Sequence, residues 1–333
     1  MKVLIVSQNE VRQWLPMNEC IDVMAEVLKM QSQGKTVNPL RQSMWLPNRK
    51  GLLGMMPAYL ADYEIMGLKV VSVFPGNHDT QFDSHQGAVK IFETKNGCLL
   101  AIVDASEITA IRTAAVSALA TDLFANKRAG ILAILGTGIQ GTKHLEAIRL
   151  VRKIEQVQVW DIDPDKAHQF AERESKRHSI PIEAMKTSHD AALGADIICT
   201  TSAATEPILF GDSIKDGVHI NAVGACFKRF RELDTPAVVK SSLFVDSRES
   251  TLNEAGDFLF PKEEGAIGDD HIQGELGEVL LNQITGRKSL EEITLFKSLG
   301  LAIEDVASAY FIYQKMSKAG QGLWVELGGL RQG

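Results

Sequence analysis

A glycine-rich hexapeptide near the middle of the sequence has the residue types and spacing of a phosphate-binding turn. It follows the pattern G-x-G-x-x-G and consists of Gly136, Thr137, Gly138, Ile139, Gln140 and Gly141. An apolar strand is predicted directly before it, at Ile131–Leu135, and a helix directly after it, over residues 142–152. The glycines then allow a tight turn, close approach of a pyrophosphate to the backbone, and close packing of the helix on the strand. We therefore expect a dinucleotide at the start of this helix, the alternative being a glycine turn of a fold that binds no nucleotide.

An acidic residue at the end of the next predicted strand indicates which dinucleotide is bound. Asp161 follows Trp160 and lies about 20 residues after Gly141, the spacing of the acid that contacts the adenosine ribose. A carboxylate at this place accepts hydrogen bonds from the ribose hydroxyls and repels a 2′-phosphate. The sequence therefore favours NAD(H) as the cofactor. NADP(H) is the alternative, because Lys166 or a mobile loop can accommodate the extra phosphate.

Two cations interrupt apolar segments in the first third of the chain. Lys69 lies within the predicted strand 65–74, where a lysine is desolvated unless it is paired or faces a cavity. A bound anion or a catalytic role would explain it, and so would an outward-facing position on a half-exposed strand. Arg112 interrupts an alanine-rich helix, and its planar fork matches a carboxylate, although a structural ion pair is the alternative. Cys226 follows a strand end without a visible base, so we do not expect a nucleophilic thiol.

The elements that position these residues belong to two patterns. In the first third, a helix capped by Asn18 is followed by short strands that predict an antiparallel sheet, at 43–46, 65–74, 86–93 and 98–103. A helix over 106–125 follows. From Gly130 onward, apolar strands alternate with helices, at 131–135, 157–160, 196–200, 219–223 and 243–245. This alternation predicts an α/β fold with a doubly wound parallel sheet.

Length and composition set the broad class. The chain has 333 residues, of which 45% are hydrophobic and 23% charged, so a disordered protein is excluded and two domains are expected. The net charge of −7 argues against a nucleic-acid partner. No apolar run is long enough for a membrane span, and the four cysteines lack the spacing of a zinc site or a disulfide framework. We expect a cytoplasmic enzyme without a bound metal.

Taken together, the segments along the chain resemble the ornithine cyclodeaminase/μ-crystallin family. The resemblance rests on Arg41, Gly67-Leu68-Lys69, Ser84-His85-Gln86-Gly87, Asp104-Ala105, Thr109 through Ala115, Gly136–Gly141, Ile220-Asn221-Ala222-Val223-Gly224, Arg231-Glu232-Leu233-Asp234, Gly274 through Val279 and Thr294 through Ala302. It implies a Rossmann domain inserted into a second α/β domain that binds substrate and forms a homodimer. We assign the Rossmann domain to 119–302 and the discontinuous domain to 1–118 with 303–333.

The resemblance also implies roles for individual residues. Arg41, Lys69 and Arg112 would hold the carboxylate of an α-imino or α-amino acid, with Lys69 and Arg112 acting in catalysis and Lys69 assisting proton transfer. The residues expected near the nicotinamide and its ribose are Thr200, Thr201, Ser202, Val223, Gly224 and Ser298. Cys226 is expected in the substrate-binding set.

The segment after Gly224 separates the activities of this family. Cyclodeaminases resemble G-G-D-x-P-G-K there, whereas this chain has Gly224-Ala225-Cys226-Phe227-Lys228-Arg229-Phe230. Cys226 thus replaces the aspartate and Phe230 the lysine, and a thiol is a poor base for an ammonium group. The predicted function is therefore NAD(P)H-dependent reduction of a cyclic ketimine, either 1-pyrroline-2-carboxylate to L-proline or 1-piperideine-2-carboxylate to L-pipecolate. The alternatives are an ornithine cyclodeaminase, an amino-acid dehydrogenase and a non-catalytic binder.

Overall fold

Two units make up the chain, and each is built on its own eight-stranded sheet. The computed structural model describes residues 2–77 and 80–329. The first unit comprises residues 1–112 and 301–333, and the second comprises 113–300. Our sequence-based boundaries fall after residues 118 and 302, while the division in the structure falls after residues 112 and 300.

The elements up to residue 124 are mainly strands flanked by helices. In chain order they are β1 Lys2–Val6, α1 Gln8–Trp14, α2 Met17–Ser32, β2 Thr36–Val37, β3 Gln42–Trp45, β4 Leu52–Leu60, β5 Ile65–Val73, β6 His85–Glu93, β7 Leu99–Asp104 and α3 Ala105–Phe124. The predicted Asn18 cap of α2 is wrong. The helix begins at Met17, because Pro16 supplies an extended residue with a fixed φ directly before the first turn.

The elements from residue 131 onward alternate between strand and helix. In chain order they are β8 Ile131–Leu135, α4 Ile139–Val151, β9 Gln156–Trp160, α5 Pro164–His178, β10 Ile182–Ala184, α6 Ser188–Ala192, β11 Ile197–Thr200, β12 His219–Ala222, α7 Thr235–Val239, β13 Ser242–Val245, α8 Arg248–Glu254, α9 Gly256–Glu263, β14 Ile272–Glu275, α10 Leu276–Leu280, β15 Thr294–Lys297, α11 Ala302–Ala319 and β16 Leu323–Glu326. Among the described residues, no helix is both long and apolar enough to cross a membrane.

The first unit contains a mostly antiparallel sheet. Its strand order is β16-β1-β7-β6-β5-β4-β2, and β3 pairs with β4. The pairs from β3 to β7 are antiparallel, as predicted for this part of the chain, although β4 itself was not predicted; β1 and β7 run parallel. Along β4 and β5, buried residues alternate with partly exposed ones, so the sheet has one covered face. α11 packs against α2 and against strands β4, β5 and β6.

The second unit contains a fully parallel sheet in the order β10-β9-β8-β11-β12-β15-β13-β14. The predicted doubly wound α/β fold is therefore confirmed. Chain order reverses at β8, which lies between β9 and β11, and ligands of such sheets bind beyond the carboxyl ends of the strands at this point. Sequence reasoning missed β10, β14 and β15, which have only three or four residues each. Buried aliphatic residues such as Leu135, Ile198, Ile220 and Leu243 form the core of the second unit.

Candidate active site

The glycine turn lies at the carboxyl end of β8, and a different physical constraint favours glycine at each of its three glycine positions. Gly136 has a φ of +108°, and a Cβ added there would lie 2.8 Å from the backbone nitrogen of Ser202. A Cβ on Gly141 would lie 2.3 Å from the carbonyl oxygen of Gly136. A Cβ on Gly138, by contrast, would have no protein atom within 4 Å. Gly138 directly precedes α4, so it leaves open space in front of the free N–H groups of that helix, as a bound pyrophosphate requires.

Asp161 holds the glycine turn in place. Its Oδ2 accepts hydrogen bonds from the backbone nitrogen and the hydroxyl of Thr137, at 2.8 and 2.7 Å. Its Oδ1 accepts one from the backbone nitrogen of Asp163 at 3.1 Å. Because each carboxylate oxygen has two lone pairs, Oδ1 retains the capacity to accept a ribose hydroxyl as well. The carboxylate predicted to read the ribose thus also fixes the turn that would hold the phosphates.

A buried glutamate joins the residues predicted near the nicotinamide. Glu232 accepts the hydroxyl of Thr200 at 2.7 Å and the backbone nitrogen of Gly224 at 2.7 Å on Oε2. Its Oε1 accepts the backbone nitrogen and the hydroxyl of Ser202, at 2.8 and 2.6 Å. Thr201 donates from its hydroxyl to the Gly136 carbonyl at 2.8 Å. The structure thus brings together the ends of β8, β11 and β12 around an acid to which the sequence analysis gave no role.

Glu232 belongs to a buried charged group with Asp257 and Lys297. Asp257 Oδ1 accepts the backbone nitrogens of Glu232 and Leu233, at 2.7 and 3.0 Å. Lys297 Nζ donates to Asp257 Oδ2 at 2.8 Å and to the Ala225 carbonyl at 2.7 Å. Burial, followed by the charge of Asp257, raises the pKa of Glu232. Burial alone would lower the pKa of Lys297, but Asp257 and Glu232 together outweigh it and hold the pKa of this ammonium above its usual range.

Ser298 has an unsatisfied hydroxyl directly after β15. The residue is 2% exposed, and its Oγ has no hydrogen-bond partner within residues 2–77 and 80–329. The backbone that follows is fixed, since Asp246 Oδ2 accepts the amides of Leu299 and Gly300 at 2.6 and 2.7 Å. Burying a hydroxyl without a partner is unfavourable, so a ligand group that hydrogen-bonds fits this position. The contact of Ser298 with a cofactor stays a prediction.

Cys226 lies beyond Gly224 in a segment with an aromatic pair. Its Sγ lies 3.8 Å from the Val223 carbonyl and 3.7 Å from the Gly224 carbonyl. The rings of Phe227 and Phe230 meet edge to face, with centroids 5.9 Å apart. This part of the chain therefore presents a thiol and aromatic carbon together with the exposed cations Lys228 and Arg229, and Phe230 is 37% exposed.

In the first unit, Lys69 and Arg112 share one buried carboxylate. Asp305 Oδ1 accepts from Lys69 Nζ at 3.0 Å and from Arg112 Nε at 3.2 Å. Arg112 Nη1 also donates to Glu304 Oε2 at 2.8 Å. Lys69 is 3% exposed, so the outward-facing position considered for it is wrong, whereas the ion pair considered for Arg112 is present.

Burial and neighbouring cations make Lys69 an unusual lysine. Burial lowers the pKa of its amine to about 8, against the opposing effect of Asp305. The positive charges of Arg112 and, to a smaller extent, Arg41 lower this pKa further. The structure therefore brings together Lys69 and Arg112, and the role of Arg41 beside them stays a prediction. Sequence reasoning missed their acidic partners Glu304 and Asp305, although two acids within the apolar start of α11 gave the same signal that singled out Lys69.

Comparison with known proteins gives matches over nearly the whole chain. The sequence model of the ornithine cyclodeaminase/mu-crystallin family matches residues 1–320. The Delta(1)-pyrroline-2-carboxylate reductase of Bacillus cereus is 36% identical over 325 residues, which cover 97% of this chain and 100% of the relative. A structure of the Thermococcus litoralis Delta(1)-pyrroline-2-carboxylate reductase in complex with NADH and L-proline superposes with a TM-score of 0.93 at 38% identity, covering 96% of this chain and 99% of that one. An archaeal alanine dehydrogenase dimer with bound NAD gives 0.92 at 30% identity, covering 98% and 100%.

Proposed function

Because the chain belongs to the ornithine cyclodeaminase/mu-crystallin family, we propose that it reduces the cyclic ketimine 1-pyrroline-2-carboxylate to L-proline by hydride transfer from NADH. Family membership confirms the resemblance inferred from the sequence. The observation that carries the proposal is the likeness, over 96% of the chain, to a reductase of this substrate solved with NADH and L-proline. The larger ring of 1-piperideine-2-carboxylate, reduced to L-pipecolate, is a second substrate of the same class.

The second unit has residues that fit a nicotinamide dinucleotide along the carboxyl ends of its strands. The pyrophosphate would bind the free N–H groups at the start of α4, where Gly138 leaves space. Asp161 would accept hydrogen bonds from the hydroxyls of the adenosine ribose. The residues proposed to surround the nicotinamide and its ribose are Thr200, Thr201, Ser202, Val223, Gly224 and Ser298, and the hydroxyl of Ser298 needs a partner. When bound, the cofactor supplies the hydride. Asp161 and the NADH and NAD of two similar structures favour NAD(H), with NADP(H) as the alternative.

The first unit supplies the groups for the substrate carboxylate. In our proposal Arg41, Lys69 and Arg112 bind it, since a guanidinium fork and an ammonium are suited to carboxylate oxygens. Fixing the carboxylate orients the imine carbon for hydride attack, an effect that contributes about 7 kcal/mol or more when well aligned. Lys69, whose pKa is lowered to about 8 by burial, can hold a proton near neutral pH and pass it to the imine nitrogen. The carbon of the N-protonated imine would then be the hydride acceptor, and the nitrogen would become the amine of the product.

The aromatic segment after Gly224 supports reduction over deamination. Release of ammonia from ornithine needs polar groups at the distal amine, and at the two positions that the resemblance assigns to that end this chain has Cys226 and Phe230, whose ring contacts Phe227. Aromatic carbon suits the methylene groups of a ring instead. The reductive step alone needs no group at that end, so the substitutions are compatible with the proposed reaction.

The open face of the first sheet supports the proposal of a homodimer. Partly exposed apolar side chains lie side by side on adjacent strands, where Tyr59 pairs with Met66, Pro57 with Leu68 and Met55 with Val70. Contiguous apolar surfaces of this kind are typical of protein interfaces. A second copy of the chain is the proposed occupant, and the similar alanine dehydrogenase is a dimer. The mass in solution, measured by light scattering, tests this.

The first experiment on function mixes the purified protein with 1-pyrroline-2-carboxylate and either NADH or NADPH. We expect loss of the reduced-cofactor absorbance with formation of L-proline, faster with NADH. Release of ammonia from ornithine without net NADH formation would instead identify a cyclodeaminase, and NADH formation from L-alanine a dehydrogenase. Either result, in the absence of imine reduction, would overturn the proposal.

A further inference from the structure

Glu232 is a buried carboxylate whose hydrogen bonds all point toward the proposed nicotinamide end of the site. It is 0% exposed and lies in the segment between β12 and α7. Four donors approach its two oxygens at 2.6 to 2.8 Å, and two of them are backbone N–H groups that cannot reverse their direction. Each of its two oxygens thus accepts one fixed backbone N–H group and faces one hydroxyl, so both oxygens are held in place by backbone that follows β11 and β12.

The donors belong to the residues proposed to surround the nicotinamide and its ribose. They are the Thr200 hydroxyl, both polar groups of Ser202 and the amide of Gly224. The carboxylate also accounts for the glycine, since a Cβ on Gly224 would lie 2.4 Å from Glu232 Oε1 and 2.1 Å from the Ser202 carbonyl. Glu232 therefore sets both the position and the spacing of the segments after β11 and β12.

The glutamate is itself held from behind. Asp257 accepts its backbone nitrogen, and Lys297 connects Asp257 to the Ala225 carbonyl. Lys297 ends β15 and directly precedes Ser298, so the same group ties the Ser298 segment to the other two. Three strand ends that are distant in sequence are thus fixed by one buried charged group, centred on a residue that need not touch the cofactor.

We propose that Glu232 is a positioning residue for the nicotinamide half of the dinucleotide site, acting through Thr200, Ser202 and Gly224. The inference rests on the proposed binding of NAD(H). It goes beyond that proposal by separating the two halves of the site: Asp161 fixes the glycine turn for the phosphates and adenosine, and Glu232 fixes the segments for the nicotinamide.

The test compares a ligand that occupies both halves with one that occupies only the adenosine half. Glu232→Gln keeps the shape of the side chain but turns an NH2 group toward backbone donors, so one amide loses its acceptor. We expect the Kd of NADH, measured by fluorescence titration, to rise about tenfold. The Kd of ADP should stay within about twofold, because ADP contacts only the segment held by Asp161. Equal weakening of both ligands, or no weakening of NADH, would overturn the inference.

Asp196→Asn is the matched control. Asp196 also accepts two backbone nitrogens, those of Gly130 and Ile131 at 2.8 and 3.0 Å, but it lies at the opposite, amino ends of β8 and β11. We expect this variant to lower the melting temperature without changing the Kd of either ligand. If it weakened NADH as much as Glu232→Gln does, the effect of Glu232 would be general loss of stability and the inference would be wrong.

Asp257→Asn provides a second variant if Glu232→Gln does not fold. It retains an oxygen for the amides of Glu232 and Leu233 and removes the charge that faces Lys297. We expect NADH to weaken about threefold and ADP to be unchanged. Unchanged NADH binding would contradict the inference. Failure of the wild-type protein to bind NADH would instead refute the proposed function, which keeps the two outcomes distinct.

Discussion

Lys69 and Lys297 are both almost fully buried, and each donates to an aspartate. The other charges near them, however, are positive around Lys69 and negative around Lys297. Lys69 shares Asp305 with Arg112, and Arg41 adds a further positive charge nearby. Lys297 faces the negative charges of both Asp257 and Glu232. Burial opposes the charged form in both cases, and it lowers the pKa of Lys69 to about 8, whereas the two acids keep the pKa of Lys297 above its usual range.

The signs of the neighbouring charges, rather than burial itself, therefore decide whether a buried lysine can lose its proton near neutral pH or stays protonated. A lysine that competes with an arginine for one carboxylate retains affinity for a further anion and can lose its proton near neutral pH. A lysine between two acids stays charged and keeps its hydrogen bonds to the surrounding segments. We therefore propose that Lys69 takes part in the reaction and that Lys297 stabilises the fold.

The largest expected effect comes from Lys297→Met. Removing this ammonium leaves Asp257 and Glu232 buried without a cation, which costs about 3–5 kcal/mol. Lys69→Met should cost less than about 2 kcal/mol, because Asp305 keeps its bond to Arg112. Urea titration of both variants measures the free energy of unfolding. Equal losses would show that the two lysines have the same structural role.

Activity should show the reverse order. Lys69→Met removes a proposed ligand of the substrate carboxylate and the proposed proton donor, so we expect kcat/KM for 1-pyrroline-2-carboxylate to fall about 100-fold, or about 2.7 kcal/mol. The Kd of NADH should not change, because the residues proposed to bind it belong to the second unit. Steady-state kinetics and fluorescence titration measure the two quantities. Unchanged kcat/KM would remove Lys69 from the proposed site.

The smallest expected effect concerns pH. Lys69 is mainly protonated below about pH 8 and neutral above it, so kcat/KM should fall as the pH rises through about 8, with a limiting slope of about tenfold per pH unit. Lys69→Arg keeps the positive charge at every accessible pH, and its profile should lack this decline. A decline that persists in Lys69→Arg would belong to the substrate imine rather than to Lys69.

Local patterns in the sequence predicted those parts of the site that lie on one continuous segment. Short-range spacing predicted the strand β8, the Gly136–Gly141 turn and Asp161. In the structure the turn follows the carboxyl end of β8, and Asp161 follows the carboxyl end of β9. The buried position of Lys69 could be inferred only as one of two alternatives. A strand pattern shows that a lysine is out of place, but it does not show which face of the sheet is covered.

The partners of the buried charges could not be predicted from the sequence. Lys69 contacts Asp305, which is 236 residues away in the sequence, and Lys297 contacts Asp257, which is 40 residues away. Such pairs depend on strand order, and β15 was not predicted because a four-residue strand that ends in lysine has no periodicity to detect. Glu232 was noticed only as part of a resemblance, since one acid in a loop is usually exposed.

The position of β15 has a consequence for synthesis on the ribosome. This strand pairs with β12 and β13, so the middle of the second sheet has a gap until the chain has been made as far as Lys297. The first sheet receives its edge strand β16 late as well, and β1 remains its edge until β16 has been made. Both units therefore keep unpaired strand edges exposed until late in translation, which favours aggregation over early folding. A nascent chain of this protein has to be protected as one piece, although the finished molecule has two cores.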